Sequence, residues 1–143
     1  MELKQKWNNI PSDVRNSNSI IQFKRYLNRN NVNIPSYFYK GKRRAQVLHS
    51  RLRTNCSSLN QHLFSKNIVE SPLCSCGSIE NSYHFLFNCV KYTDIRRDLT
   101  RNLSPICTMS LKTLLFGDEN LSIETNSVIF ELVQKYILES KRF

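Results

Sequence analysis

Four residues in the middle of the chain carry donor atoms that a soft or borderline metal ion prefers. In the run SPLCSCGSIENSYHFLFNCVK, Cys74, Cys76, His84 and Cys89 follow the pattern C-x-C-x7-H-x4-C. A structural zinc site asks for four such donors in a closed tetrahedron, commonly one pair from a tight turn and one from a helix or loop. The spacing divides the set in that way. Pro72 stiffens the approach to the first pair. Gly77, directly after Cys76, permits the positive φ that a knuckle needs if main-chain N–H groups are to point at thiolate sulfurs. The second pair poses a geometric problem, because residues five apart on an ideal α-helix differ by about 500°, roughly 140° out of register. A straight helix cannot present both His84 and Cys89. The helix carrying Tyr83 to Phe87 is therefore expected to loosen or end near Asn88, with Phe85, Leu86 and Phe87 covering the site and joining it to the core.

The alternative is a chance group of buried thiols with a core histidine, since free cysteine is among the most buried residue types. Four ligand-type residues within sixteen positions, with a glycine placed for a knuckle, favour Zn2+. A catalytic zinc would keep three protein ligands, an open water position and a nearby carboxylate. Glu80 is the only near carboxylate, and a Cys3His set is usually closed, so no catalytic residue is expected. Cys56 and Cys107 stand alone and read as structural thiols. Five cysteines, three of them clustered near a histidine, fit metal ligation in a reducing compartment better than a secreted disulfide framework.

The elements that must hold these donors read as helical. Ser17 or Ser19 can cap a helix carrying Ile20, Phe23 and Leu27. A second helix is expected from Lys42 to Thr54, with Ala45, Leu48 and Leu52 on one face and Arg44, Arg51 and Arg53 beside it. Ser57 or Ser58 can cap a third with Leu59, Leu63 and Phe64. Val128, Ile129, Leu132, Val133 and Tyr136 form a broad stripe on a C-terminal helix, with Glu131, Gln134 and Lys135 outside it. Three glycines and little strict alternation leave no sustained sheet, with room for one short β-hairpin at the knuckle. The expected fold is mainly α, a small helical domain with a Cys3His zinc knuckle. Its parts are residues 1–35, a linker-like segment with one helix; 36–103, the basic helical and zinc-binding module; and 104–143, a C-terminal helical segment.

Charge is concentrated in one stretch. The 143-residue chain has a formal charge of +10, and residues 14–69 hold eleven Lys or Arg and no Asp or Glu. Ordinary solvated helices mix signs to gain i,i+4 pairs, so a stretch this long without a carboxylate repels itself unless a polyanion neutralises it. Nucleic acid is the leading polyanion. A membrane surface is the rival, but no run of about 18 apolar residues exists and the first residues have no apolar signal core. The expectation is a soluble intracellular protein that binds RNA or DNA through Lys40, Lys42, Arg43, Arg44, Arg51 and Arg53. Tyr37 and Tyr39 are stacking platforms for unpaired bases in that expectation, against the plainer alternative that they anchor the core. His49 and His62 lie near this stretch and read as surface or core filling.

With these residues in hand, the chain resembles the C-terminal region of non-LTR (LINE-type) retrotransposon reverse transcriptases. The resemblance runs from Leu48 to Leu99. It rests on Arg51-Leu52-Arg53-Thr54, Leu59-Asn60-x-His62-Leu63, Ser71-Pro72-Leu73-Cys74-Ser75-Cys76-Gly77, Glu80, His84-Phe85-Leu86, Cys89, Tyr92 and Arg96. A weaker match at Trp7-Asn8-Asn9-Ile10-Pro11, Val14-Arg15 and Phe23-Lys24 is similar to the linker after the polymerase. The ending Tyr136-Ile137 and Ser140-Lys141-Arg142-Phe143 resembles the close of such elements. The resemblance implies a C-terminal fragment that helps hold element RNA and target DNA during target-primed reverse transcription. It also implies the parent's polymerase domain as a partner and a nuclear or cytoplasmic ribonucleoprotein location. No membrane or small-molecule substrate is expected. Two departures stand out: no two Asp are adjacent, so the polymerase aspartate pair is missing, and Asn55 stands where many relatives have glycine. The competing expectation is a host zinc-binding module that makes protein contacts without catalysis.

Overall fold

Ile123–Glu139 (α5) is the longest helix among the described residues, and the rest packs around it. A computed structural model describes residues 34–143, of which Ser36–Phe143 form one compact unit. Ser122 caps α5, its hydroxyl accepting the Thr125 N–H at 3.1 Å, and no Gly or Pro interrupts the helix. Ile129, Phe130, Val133, Tyr136 and Ile137 are all essentially inaccessible, at the spacing of one wide helical stripe. Against α5 lie a 3-10 turn at Ser36–Tyr39 and the helices α1 (Arg43–Arg53), α3 (Thr93–Leu103) and α4 (Leu111–Phe116). A six-residue helix, α2 (Asn60–Ser65), precedes the knuckle. The expected helix around Ile20 to Leu27 and the match near Trp7 lie outside the described residues.

The outcome agrees with the expected mainly helical fold, with local differences. α1 covers almost the whole predicted span and buries Ala45, His49 and Leu52, spaced four and three apart. Asn55 after it adopts φ +56°, a left-handed conformation that asparagine tolerates better than most residues, so the turn forms without glycine. α2 is not capped by a serine side chain. Instead its N-terminus is satisfied by Glu80, whose Oε2 accepts the Asn60 N–H at 2.9 Å. The α5 stripe is rotated from the expected one. Val128 is 43% exposed, whereas Phe130 and Gln134 are buried. Gln134 tolerates burial because its Nε2 donates to the Lys40 carbonyl at 3.0 Å. α3 and α4 are short helices with no separate apolar stripe among those expected from the sequence.

Aromatic packing joins the 3-10 turn and α1 to α5. Phe130 stacks on Phe38 with centroids 5.4 Å apart and meets the edge of Tyr37 at 4.9 Å. His49 lies 4.5 Å from the same ring and donates from Nε2 to the Leu114 carbonyl at 2.8 Å. Burial, reinforced by the Arg53 charge, pushes the His49 pKa down to about 3, so the imidazole is neutral. Phe130→Ala is expected to cost about 3–5 kcal/mol. Val128→Ala, two residues away and in the expected stripe, should fall within about 0.5 kcal/mol of the parent. Chemical denaturation of both variants decides which face of α5 carries the core. Equal losses would restore the face expected from the sequence.

Candidate metal centre

The knuckle is a tight hairpin. The Cys74 N–H donates to Ser78 O at 2.8 Å and the Gly77 N–H to Cys74 O at 2.8 Å. Leu73 and Ile79 form a single antiparallel bridge, the one strand-like pairing among the described residues. Gly77 takes φ +88°, while a Cβ built there would meet nothing within 4 Å. Backbone conformation, not space, therefore calls for glycine at this position. The Ser78 main chain bonds to the Cys76 sulfur and, as the largest influence on it, holds that thiol below its ordinary pKa.

The second donor pair meets its geometric problem by a change of winding. After a short α-helical start, His84–Asn88 form a π turn, closed by the Cys89 N–H donating to His84 O at 2.8 Å. An i→i+5 turn brings residue i+5 over residue i, which an α-turn does for i+4, so His84 and Cys89 come to one face. Cys89 leaves the turn with extended backbone. The expected loosening near Asn88 thus takes the form of a wider turn. Phe85 and Leu86 inside it are fully buried, and Tyr136 Oη donates to Phe85 O at 2.5 Å. Phe87 is half-buried and stacks on the exposed Tyr83 ring at 5.1 Å.

The four donors converge. One ligand atom from each of Cys74, Cys76, His84 and Cys89 lies within 4.8 Å of the other three, a group that can hold one metal ion. Two sulfurs each about 2.3 Å from a tetrahedral centre stand about 3.8 Å apart. Cys74 Sγ and Cys89 Sγ are 3.7 Å apart, and Cys76 Sγ and His84 Nε2 3.3 Å. Cys74, His84 and Cys89 are buried and Cys76 half-buried. Burial pushes the Cys89 thiol up to about 11, so a thiolate there needs a cation beside it. Four protein donors in a mostly buried cluster make a closed site.

Glu80 is no general base in this arrangement. It is 3% exposed, and both carboxylate oxygens are engaged by Arg142, at 2.7 Å from Nε and 2.5 Å from Nη2. Burial pushes its carboxyl up, but the Arg142 hydrogen bonds, the Asn60 N–H and the neighbouring positive charge outweigh that and leave it below the usual carboxylate range. Arg96 donates to the Cys89 carbonyl from the other side. No pattern of residue types in the sequence singles out either arginine for this role.

The residues expected to contact nucleic acid divide into two groups. Tyr39, Lys40, Lys42, Arg43, Arg44 and Arg51 are exposed, Tyr39 by 63%. Tyr37 is buried, its hydroxyl donating to Phe116 O at 3.2 Å, so its ring is core and cannot serve as a stacking platform. Arg53 is also turned inward. Its Nε donates to Leu115 O at 2.5 Å and its guanidinium lies 3.8 Å above the Phe38 ring centroid. Cys56 is exposed and Cys107 half-buried. No helix among the described residues is long and apolar enough to cross a membrane. Comparison of the chain with known protein families, curated proteins and solved structures gave no match.

Two outcomes follow. Purified chain should carry one metal equivalent, lost in the Cys74→Ser/Cys76→Ser double variant, with affinity falling as pH drops because protons compete for the donors. Retention of metal by the double variant would reassign the ligands. Separately, Glu80 has a folded pKa below its unfolded value of about 4.3. It therefore stabilises the fold above that pH and loses the contribution as pH falls through the folded value. Glu80→Gln should flatten the acid limb of the stability curve. Comparing the two proteins with metal stripped from both keeps proton competition for the donors out of the difference, which then isolates Glu80.

Proposed function

We propose that this chain is a zinc-stabilised nucleic-acid-holding module, the C-terminal part of a LINE-type reverse transcriptase that grips RNA or DNA during target-primed reverse transcription. Three thiolates and an imidazole in a closed tetrahedral arrangement suit zinc, whose ligand preferences match this donor set. The observation that carries the binding role is the outward-facing cationic surface from Tyr39 to Arg51, within a stretch of residues 14–69 that contains no carboxylate. Gln46 holds the approach to it by donating from Nε2 to Tyr39 O and Gly41 O, both at 2.7 Å. Gln134 holds Lys40 from α5. The cations are thus presented from a secured loop and a helix, with Tyr39 offering a ring on which an unpaired base can stack.

The proposed role is grip without chemistry. Nucleotide transfer needs carboxylates to hold two cations on the reacting phosphates, and the one buried acid beside the metal centre is committed to Arg142. A second reading, protein contact, is favoured by the exposed Leu73 and Ile79 side chains on the knuckle. Salt dependence separates the two, since phosphate contacts release counterions and apolar contacts do not.

Binding to single-stranded RNA should weaken steeply as salt rises. Arg43→Glu with Arg44→Glu should weaken binding to all sequences alike and flatten the log–log salt slope by roughly 0.7 per lost contact. Tyr39→Ala should lower affinity with the slope intact. Filter binding or fluorescence anisotropy across a salt series reads all three. Little affinity for RNA or DNA at any salt would sink the proposal in favour of protein contact.

A further inference from the structure

The chain turns back on itself after α5 and brings Arg142 and Phe143 against residues that flank the four donors. Lys141 takes φ +50°, reversing the direction, and the Arg142 N–H is held by Ser140 Oγ at 3.3 Å. The Arg142 guanidinium then enters a built site. Besides the two Glu80 oxygens it donates from Nη2 to Ser58 O and to Asn60 Oδ1, each at 3.1 Å. The next residue, Phe143, sets its ring edge-on to Phe85 with centroids 5.3 Å apart.

These two contacts fall on opposite halves of the ligand set. Glu80 belongs to the knuckle half: its N–H donates to Pro72 O at 2.9 Å, closing the hairpin that presents Cys74 and Cys76. Asn60, tied to Glu80 through its N–H, also donates from Nδ2 to Leu73 O at 2.6 Å. Phe85 belongs to the other half, inside the π turn that presents His84 and Cys89. Asn81 is the link between them, its Oδ1 accepting the His84 N–H at 2.8 Å.

We propose that Arg142 and Phe143 form a latch across the metal centre, a guanidinium and a ring that hold the two ligand pairs together and set how fast the ion leaves. The proposal rests on the zinc reading of the four donors. Arg142 is a positioning residue in it. Without the guanidinium, the Glu80 carboxylate is buried and uncompensated, which loosens the hairpin base and α2 together. A lysine would return the charge but not the fork that spans both oxygens, the Ser58 carbonyl and the Asn60 amide.

The test uses the zinc-loaded full chain and follows metal transfer to an excess of chromogenic chelator, with far-ultraviolet circular dichroism as the fold readout. Arg142→Ala should release zinc faster, by about 10–100-fold if the affinity lost with a partner that orients metal ligands falls on the off-rate. Arg142→Lys should recover only part of the loss. Added N-ethylguanidinium should slow release from Arg142→Ala, whereas N-ethylammonium, with charge but no fork, should not. Glu80→Gln should release quickly and resist rescue. Unchanged release from Arg142→Ala overturns the latch, as does faster release that lysine restores fully or guanidinium leaves untouched. If Arg142→Ala does not fold, Arg142→Lys and Glu80→Gln carry the test, and release at the parent rate from both overturns it. Failure of the parent chain to hold zinc removes the metal reading and the latch with it. Zinc held by the parent but indifferent to Arg142 removes the latch alone.

Discussion

The five-residue step from His84 to Cys89 constrains everything near the metal centre. Neither residue can move independently, because the turn between them also carries Phe85 and Leu86 into the core and offers Phe85 O to Tyr136. Winding the segment as a π turn brings both donors to one face while the two apolar side chains point inward. An α-helical register would swing one donor away by roughly 140°. The core and the metal site thus share one stretch of backbone, and a shift in either is felt in the other. Arg96 on the Cys89 carbonyl and Phe143 on the Phe85 ring both brace that stretch.

Positive charge serves two separate purposes in this protein. Arg53, Arg96 and Arg142 point inward: Arg53 meets a carbonyl and an aromatic face, Arg142 a carboxylate, and Arg96 donates from Nη2 to the Cys89 carbonyl. Burial lowers Arg53 to about 10, still charged at neutral pH. Lys40, Lys42, Arg43, Arg44 and Arg51 face solvent. A net charge of +10 counts both groups alike, although only the second offers charge to a polyanion. Arg51 and Arg53 show how fine the division is: they are two residues apart on α1, so their side chains leave on different faces.

What could be read from the sequence was local. The four donors lie within sixteen residues, and the mismatch of their spacing with an α-helix follows from arithmetic on the chain. α1 and α5 declare themselves by repeated apolar positions. The direction in which α5 faces did not, because its apolar residues cover so much of the surface that only the packed partners choose among them. Gln134 is buried by a carbonyl 94 positions away, and Arg142 meets a carboxylate 62 positions away. No pattern within either segment signals such a partner. α3 was hidden for another reason: only Leu99 and Leu103 are buried on it, and its exposed Asp94–Arg97 and Asp98–Arg101 pairs dilute the periodicity.

The placement of α5 after the knuckle separates two kinds of closure in time. Bringing Cys74 and Cys89 together closes a loop of fourteen intervening residues, whereas joining Tyr37 to Phe130 encloses most of the described chain. The entropy of closing a loop rises with its length, so the shorter one is the easier to make. It is also complete earlier during synthesis, since every donor is joined to the chain before Ser122 is added. The four donors are therefore all in the chain before α5 is made, and Tyr136 of α5 then bonds the Phe85 carbonyl between them.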